Sequence, residues 1–527
     1  MNHWTLHTSS QRDESHPTGS ISHPGRPEFM VQCRRSPVRT TKRLFQLLVV
    51  LFGMSMAASH ATTLPNIVVI LADDLGWGDL GCYNRESKIP TPHLDRLATE
   101  GTRFTDAHSP SAVCSPTRYG LLTGRYAWRT RLQSGVLWGY SPPLIEEDRP
   151  TLATLLKSRG YVTAAVGKWH LGLGWPTREP VAFGDSSTPA ADVRLIDWTR
   201  ALAAGPCTVG FDTFYGIPAS LDMVPYVFIR NDRVTAAPTA VIHGSRSQRQ
   251  GGAGFWREGP ISPDFRIEDC HPRLVADAVD FIRRQRPDTP FFLYFALTSP
   301  HDPWVPTASF RGRSPCGPRG DFVAEVDAAA GQISQALSDA DLARNTLLLF
   351  TSDNGAHWLP SEVADTGHAA NGPWRGMKSD AFEGGHRVPL IARWPGYVPA
   401  DRVCPALIGL NDLFATLAEI TRSRIPQGAA EDSISFAKAL LGRRAAPRPP
   451  LILHSIQGTF VVRDGPWKLI AGADSGGWTQ SHSNAPAQLY HLDSDPTESH
   501  NLWSVNRRRA EKMARLLSQI RGRSTAR

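Results

Sequence analysis

The chain contains few cysteines for its length, and none has the spacing of a zinc site. Seven cysteines occur among 527 residues. Cys33 precedes the predicted mature chain and Cys114 belongs to a motif described below, which leaves an odd number: Cys82, Cys207, Cys270, Cys316 and Cys404. No disulfide framework is therefore predicted. In an oxidising compartment one or two bridges could form, with Cys207–Cys270 or Cys270–Cys316 as candidates.

An excess of charge of one sign is also largely missing. The formal charge is +8, but residues 1–61 hold seven basic and three acidic side chains, so their removal would lower it to +4. The basic cluster of the mature chain, residues 507–509, is more typical of a solvated helix face than of a nucleic-acid surface. We therefore expect no nucleic-acid partner.

A single long apolar run occurs, at residues 44–58. Basic residues precede it and small residues surround Ala61, which is the order of a signal peptide cleaved after Ala61, with Met30 as a possible true start. The alternative, a transmembrane anchor, needs roughly 20 apolar residues. The chain also lacks an Asn-x-Ser/Thr glycosylation site. We expect an exported bacterial protein, periplasmic or secreted, that is not an integral membrane protein once residues 1–61 are cleaved.

Apolar runs and helical patterns alternate along the mature chain. Strands are predicted at residues 67–71, 162–166, 291–297 and 347–350, and helices near residues 91–100, 151–158, 272–284 and 322–338. Continuous apolarity indicates strands that are buried on both faces. We therefore predict an α/β fold with a mixed, mostly parallel sheet between helices. In such folds ligands bind at the carboxyl ends of the strands.

A linker rich in arginine and proline after residue 442 divides the mature chain. Residues 62–442 are predicted to form the main domain. Residues 448–522 are predicted to form a smaller subdomain, with antiparallel strands at 451–455, 459–463, 467–470 and 488–491 and a helix from about 505. Within the main domain, residues 234–264 are rich in Gly, Ser, Arg and Gln without periodicity. That composition predicts a long surface loop or lid that borders the active site.

Two acidic pairs directly follow predicted buried strands. Asp73 and Asp74 follow the first strand, and Asp353 and Asn354 follow the last. Four side-chain oxygens at the carboxyl edge of one sheet would suit a hard divalent cation such as Ca²⁺. Either pair alone is more typical of a turn or a helix cap. A metal site is predicted because both pairs occur together with the motif around Cys114.

The segment that carries most information begins at Cys114 and reads Cys-Ser-Pro-Thr-Arg, followed by Leu-Thr-Gly-Arg. Pro116 suits the first turn of a helix, which would place the Cys114 side chain at the positive helix end. Five further segments accompany it: Asp-Asp-Leu-Gly at 73–76, Gly-Lys-Trp-His-Leu-Gly at 167–172, Ser-Pro-His-Asp-Pro-Trp at 299–304, Ser-Asp-Asn-Gly at 352–355, and Gly-Met-Lys at 376–378 with Glu-Gly-Gly at 383–385. Together they resemble the type I, formylglycine-dependent sulfatases, arylsulfatase-like members of the alkaline phosphatase superfamily.

The resemblance implies that residues 62–442 are a sulfatase catalytic domain and that Cys114 is a precursor. A formylglycine-generating enzyme would oxidise Cys114 to formylglycine (3-oxoalanine), which hydrates to a gem-diol. One hydroxyl, ionised on the metal and steadied by Arg118, would attack sulfur and release the alcohol; collapse of the resulting hemiacetal would expel sulfate. The resemblance also implies one Ca²⁺ per chain, with the ligands Asp73, Asp74, Cys114, Asp353 and Asn354.

The same resemblance implies roles for four cationic or titratable side chains. Lys168 and Lys378 would bind the sulfate oxygens, and His170 would hydrogen-bond the diol. Lys168 and His170 could project into one site if the strand that carries them ends there. His301, in a rigid turn rich in proline, is the candidate general acid for the departing oxygen and a substrate-binding residue.

Two alternatives stay open for the activity. A phosphoesterase or phosphonate monoester hydrolase of the same superfamily would act on a similar tetrahedral ester, although a dianionic phosphate would favour a more cationic pocket. A non-catalytic sulfoglycan-binding protein would follow if Cys114 stayed unmodified.

We expect an exo-acting carbohydrate sulfatase. Aromatic, amide and Arg groups suited to a sugar occur at Trp138, Tyr140, 220–233, 234–264 and Trp374, with His357 and His368 as weaker candidates.

Overall fold

The computed structural model describes residues 64–186, 193–480 and 483–523, together with the isolated residues Met30 and Gln32. The predicted apolar run of the signal peptide, residues 44–58, and the cleavage site after Ala61 lie outside these residues. In the described part of the chain, no helix combines the length and apolarity needed to cross a membrane.

A ten-stranded mixed sheet organises the molecule. In chain order its strands are β1 (Asn66–Ala72), β2 (Thr102–His108), β3 (Val162–Lys168), β4 (Thr213–Ile217), β5 (Ile229–Arg230), β6 (Arg233–Val234), β9 (Phe291–Ala296), β10 (Thr346–Ser352), β11 (Leu390–Arg393) and β12 (Arg402–Gly409), with β7 (Ala240–Ile242) and β8 (Gly259–Ile261) forming a separate hairpin. The spatial order is β12-β2-β11-β10-β1-β9-β3-β4-β5-β6. The five central strands from β10 to β4 run parallel to one another. The prediction of a mostly parallel sheet is confirmed.

Ten helices occur in the described residues. They are α1 (Pro92–Thr99), α2 (Cys114–Thr123), α3 (Leu152–Lys157), α4 (Cys270–Arg283), α5 (Gly317–Asp339), α6 (Pro360–Thr366), α7 (Glu383–His386), α8 (Leu413–Ile420), α9 (Ala437–Leu440) and α10 (Arg507–Gly522). Successive side chains of β1 face opposite sides of the sheet. Val69 packs into a core with α2, α3 and α8, whereas Val68 packs into a core with α1, α4 and α5. The helices therefore cover both faces, which explains why every residue of β1 is buried.

A smaller antiparallel sheet follows the linker, as predicted. Its strands are β13 (Leu451–His454), β14 (Phe460–Asp464), β15 (Trp467–Ile470) and β16 (Gln488–His491), paired in that order. Helix α10 buries Met513 and Leu517 in the core of this sheet. The boundaries 62–442 and 448–522 stay a prediction.

The disulfide candidates are absent from the described residues, where all six cysteines are free. Cys207 packs at the edge of the core on one face of the large sheet, and Cys270 lies in the core on the other face. The sheet separates these two thiols, so that pairing is wrong. Cys316, at the N-cap of α5, is likewise unbonded to Cys270.

A buried ionic network joins the small sheet to the main domain. Glu383 accepts hydrogen bonds from Arg463 Nη1 at 3.0 Å, Lys468 Nζ at 3.1 Å and Arg387 Nη1 at 3.0 Å. Lys468 also pairs with Glu498 at 2.7 Å. Burial by itself would raise the pKa of Glu383, but Arg463 and Lys468 hold it well below its usual range.

Replacing Glu383 by glutamine is expected to destabilise the protein. The substitution leaves Arg463 and Lys468 buried with too little negative charge, which costs about 3–5 kcal/mol when one partner of a buried pair is removed. Chemical denaturation would measure the free energy of unfolding, with Glu511→Gln on an exposed turn of α10 as control. Equal stability of Glu383→Gln and the control would show that the network does not stabilise the fold.

Candidate active site

The carboxyl ends of the two central strands bring the acidic pairs together. Ala72 of β1 lies opposite Ser352 of β10, so Asp73 and Asp353 leave the sheet side by side. Asp74 has φ +67°, a left-handed conformation that is costly outside glycine and is kept where a site requires it. Its backbone N–H donates to Asp353 Oδ1 at 3.2 Å, and Asn354 Nδ2 donates to Asp74 Oδ1 at 2.7 Å. All four side chains are buried.

Helix α2 aims Cys114 at these carboxylates. Cys114 is its first residue and is 2 % exposed, so its thiol lies at the positive end of the helix dipole. One turn later the fully buried Arg118 donates to Asp353 Oδ2 from Nε and Nη2, at 3.0 and 2.7 Å. A third bond, from Arg118 Nη1 to the Lys168 carbonyl at 2.9 Å, ties α2 to β3.

Strand β3 ends at Lys168, and the chain then turns within the site. Lys168 Nζ donates to Asp73 Oδ2 at 2.6 Å and to Ser220 Oγ at 3.2 Å. His170 adopts φ +57°, and its Nε2 bonds the Leu137 carbonyl at 2.7 Å. Since a carbonyl only accepts, Nε2 carries the proton, and Nδ1 of the neutral ring is a buried acceptor without a partner in the described residues. Burial lowers the pKa of His170 well below its usual value.

Two further cationic or titratable groups face Asp74. Lys378 Nζ donates to Asp74 Oδ2 at 2.8 Å, and His301 Nε2 lies 3.7 Å from the same oxygen. His301 Nδ1 donates to the Asp302 carbonyl at 2.5 Å, which leaves Nε2 as the nitrogen that faces the site. The side chain of His301 is 13 % exposed, and it lines a cavity.

The surroundings of Cys114 disfavour the ionised, thiolate form of its side chain. Burial raises the pKa of the Cys114 thiol above its ordinary value. Burial would also raise the pKa of Asp73, but the facing Lys168 and His301 hold it lower. Burial, followed by the charge of Asp73, raises the pKa of Asp353 to about 6. A cysteine nucleophile at neutral pH is therefore disfavoured.

The residues present fit a divalent cation. Asp73 Oδ1 and Asn354 Oδ1 are buried and have no hydrogen-bond partner among the described residues. Potential ligand atoms of Asp73, Cys114 and Asp353 lie within 4.8 Å of one another. Oxygen ligands of this kind suit Ca²⁺ or Mg²⁺ rather than zinc.

A second cluster of potential ligands, His108, Glu383 and His386, fits a cation poorly. Arg463 Nη1 lies 3.1 Å from His108 Nε2, and Lys468 Nζ lies 3.2 Å from His386 Nε2. These cationic groups already occupy the ring nitrogens. The cluster therefore belongs to the structural network of Glu383.

A cavity of about 680 Å³ opens above the site and is lined by Asp74, Cys114, His301 and Lys378. Of the predicted substrate-binding residues, Trp138 and His357 line this cavity. Tyr140 is buried against Trp175 and Phe183, and Trp374 packs on Trp77. His368 bonds Asp79 in the interior at 2.9 Å. Tyr140, Trp374 and His368 are thus held in other contacts and do not line this cavity.

The predicted lid, residues 234–264, has more structure than its composition suggests. It contains the β7–β8 hairpin and contributes Arg249, Phe255 and Arg257 to the cavity wall. Arg249 is held by Glu362 at 2.6 Å and by the His357 carbonyl at 2.6 Å. The segment is therefore a wall of the cavity.

Ser220 lies in the segment 220–233 that the sequence offered as a sugar-binding stretch, but no motif marked it as a contact of Lys168 and His301. Its hydroxyl lies 3.2 Å from Lys168 Nζ and 3.4 Å from His301 Nδ1. The available signal was its position: it follows β4, which neighbours β3 in the sheet, so it reaches the same carboxyl edge.

The family of the chain follows from a comparison with known proteins. A model of the Sulfatase family matches residues 65–423, which include every residue of the site described above. The chain belongs to the sulfatase family. The match agrees with the resemblance of the sequence motifs, and it identifies the chain as an enzyme that hydrolyses sulfate esters.

Proteins named as sulfatases are similar to the chain over most of its length. The N-acetylgalactosamine-6-O-sulfatase of Bacteroides thetaiotaomicron is 34% identical over 499 residues, which covers 87% of this chain and 93% of that protein. Arylsulfatase A of Homo sapiens is 34% identical over 479 residues, 85% of each chain. A solved structure related to the metabolism of multiple glycosaminoglycans by Bacteroides thetaiotaomicron has a TM-score of 0.75 and 31% identity, and covers 88% of this chain and 100% of that chain.

Proposed function

We propose that this sulfatase removes sulfate from a sugar at the end of a glycan chain. The observation that carries the proposal is the position of Cys114, at the start of α2, beside Asp73 and Asp353 on the floor of the cavity. The cavity is large enough for a monosaccharide, and its wall combines aromatic rings with three arginines. The relatives named N-acetylgalactosamine-6-sulfatase support a 6-sulfated amino sugar as the first substrate to test.

In this proposal Cys114 is the precursor of formylglycine, which a formylglycine-generating enzyme would install and which would supply the attacking hydroxyl. The cation would be Ca²⁺, held by Asp73, Asp74, Asp353, Asn354 and the modified Cys114. When bound, it would offset the negative charge that gathers at the reacting sulfate. The two buried oxygens without partners, on Asp73 and Asn354, support this ligand set.

The chain's own side chains would bind the sulfate and move protons. Lys168 and Lys378 would each offer a buried ammonium to the sulfate oxygens. His170 Nδ1, an unprotonated acceptor, would take a hydrogen bond from the attacking group. His301 would donate a proton from Nε2 to the departing oxygen, with Nδ1 fixed on the Asp302 carbonyl. Arg118 would hold Asp353 in the geometry that faces Cys114.

We also propose that the protein is exported to the periplasm or secreted by a bacterium after cleavage of residues 1–61. The apolar run at 44–58 with its basic flank supports export. Catalysis would reside in residues 62–442.

A panel of sulfate esters tests the substrate class. The protein, co-expressed with a formylglycine-generating enzyme, is expected to release sulfate from 6-sulfated N-acetylgalactosamine or a related sulfated sugar, measured by ion chromatography. Matched phosphate monoesters and phosphonate monoesters serve as controls and are expected to react at least about 100-fold more slowly. Strong turnover of small aryl sulfates without release from any sulfated sugar would refute a carbohydrate sulfatase, and faster phosphate release would favour a phosphoesterase.

A further inference from the structure

Asp222 lines the cavity with a carboxylate that is only half satisfied. The residue is 4 % exposed, and its Oδ2 is paired with Arg257 Nη1. Its Oδ1 is buried and has no hydrogen-bond partner among the described residues. A buried charged acceptor left without a donor is costly, so such an atom calls for a partner that the structure does not contain.

Arg257 is held rigidly next to that oxygen. Its guanidinium lies over the rings of Trp138 and Phe255, 4.8 and 4.7 Å from their centroids. Its backbone N–H donates to Tyr226 Oη at 3.0 Å, and the same hydroxyl donates to the Arg257 carbonyl at 2.8 Å. The other guanidinium N–H groups, on Nε and Nη2, have no acceptor in the described residues. Asp222, Arg257, Trp138 and Phe255 all line the cavity.

The chain links this pair to the chemical centre. Asp222 lies two residues beyond Ser220, whose hydroxyl contacts Lys168 and His301, and the Met223 N–H closes a turn on the Ser220 carbonyl at 2.9 Å. One short turn therefore contributes to both the sulfate end of the cavity and its wall. A group bound at Asp222 would belong to the molecule whose sulfate lies near Lys168.

We infer that Asp222 and Arg257 together bind neighbouring hydroxyl groups of the sugar ring that carries the sulfate. This inference rests on the proposed function. One hydroxyl would donate to Asp222 Oδ1, and the oxygen of its neighbour would accept from Arg257.

The chemistry of the pair selects among possible ligands. A ring hydroxyl can donate and accept at once, so two adjacent hydroxyls match one fixed acceptor beside one fixed donor. A carboxylate on the sugar would face the negative Asp222 at close range and be repelled. A plain aryl group would leave Asp222 Oδ1 without a donor, as it is in the free protein. The wall therefore favours an uncharged polyol ring over both.

Asp222→Asn tests the inference through selectivity. Arg257 requires an acceptor, so the amide oxygen stays on Arg257, and the amide N–H₂ replaces the free Oδ1 in the cavity. The kcat/KM for 6-sulfated N-acetylgalactosamine is expected to fall about 30- to 200-fold, and that for a small aryl sulfate less than about 3-fold, because the lost bond is charge-assisted and buried. Asp264→Asn is the matched control. It makes the same chemical change at the end of the segment 234–264, in a carboxylate that accepts hydrogen bonds from Ser262 and Thr235.

Deoxy sugars make the test specific to a hydroxyl. Sulfated sugars that lack the 3-hydroxyl or the 4-hydroxyl are assayed with the wild-type protein and with Asp222→Asn. One of these deoxy sugars is expected to have a low kcat/KM with the wild-type protein. Its kcat/KM should fall little further with Asp222→Asn, because the hydroxyl that bonds Asp222 is already missing.

Each other outcome counts against the inference. Equal losses on sugar and aryl sulfates would show that Asp222 only holds the Ser220 turn, and unchanged sugar kinetics would show that it touches no substrate. In both cases the proposed carbohydrate sulfatase would survive. If the wild-type protein released sulfate from no sugar, the proposed function would fall, and this inference with it.

Discussion

Cys114→Ala and Cys114→Ser are each expected to lower kcat/KM for sulfate esters by at least about 10⁴-fold, the scale on which loss of a covalent nucleophile is felt. The physical reason lies in the surroundings of Cys114. Burial raises the pKa of the thiol, so the unmodified side chain is a poor nucleophile at neutral pH. Serine would offer one hydroxyl where the proposed diol offers two, so it could accept the sulfate but could not expel it.

Peptide mass analysis separates this mechanism from a cysteine nucleophile. Wild-type protein made without a formylglycine-generating enzyme is expected to be folded but inactive, and activity is expected to rise in proportion to the fraction of Cys114 found as an aldehyde. Cys207→Ala, at a half-buried thiol outside the site, should keep full activity. Full activity in a preparation whose Cys114 is entirely an unmodified thiol would refute the proposal.

The second large effect is expected at the metal. Asp73→Asn should lower kcat by at least about 10³-fold, because a neutral amide binds a hard cation weakly and the buried site loses a charge that the cation needs. The same variant should lose its bound metal, whereas the wild-type protein is expected to hold one Ca²⁺ per chain by elemental analysis. Chelation of the wild-type protein should abolish activity, and added Ca²⁺ should restore it.

Thermal unfolding gives an independent measure of the metal. A ligand that binds the native state alone stabilises it, so Ca²⁺ should raise the Tm of the chelated wild-type protein and leave that of Asp73→Asn unchanged. Asp341→Asn is the control, since Asp341 is exposed and adopts φ +56°, which asparagine tolerates. A chelated protein with full activity, or a variant that still binds Ca²⁺ in equal amount, would contradict the ligand set.

In the large sheet, the strands that the sequence predicted, β1, β3, β9 and β10, lie together in its buried centre. β1, β9 and β10 each contain an uninterrupted apolar run, and such runs are typical of strands in the middle of a parallel sheet. Among the strands that were not predicted, β2 and β12 lie at or next to one edge of the sheet and mix charged with apolar residues. Their pairing depends on neighbours distant in the chain, which a local pattern does not contain.

The residues of the site also divide into those that the sequence predicted and those that only the structure revealed. Asp73, Cys114 and Asp353 were named because each belongs to a motif, and the structure places them in one cluster, although their roles stay predictions. Ser220 and Asp222 belong to no motif. They matter because β4 ends beside β3 and because the β7–β8 segment brings Arg257 against Asp222.

By itself, therefore, the sequence determined the fold class, the family and the residues around Cys114. Those residues occur in short local motifs. Such motifs can be recognised in the sequence alone because the chemistry needs particular side chains at particular spacings. Only the tertiary structure decided which groups line the cavity, which buried oxygens lack a partner and that the cysteines stay apart. Those properties depend on packing between segments far apart in the chain. Burial makes an unpaired polar or charged atom energetically costly, and such an atom therefore points to a ligand.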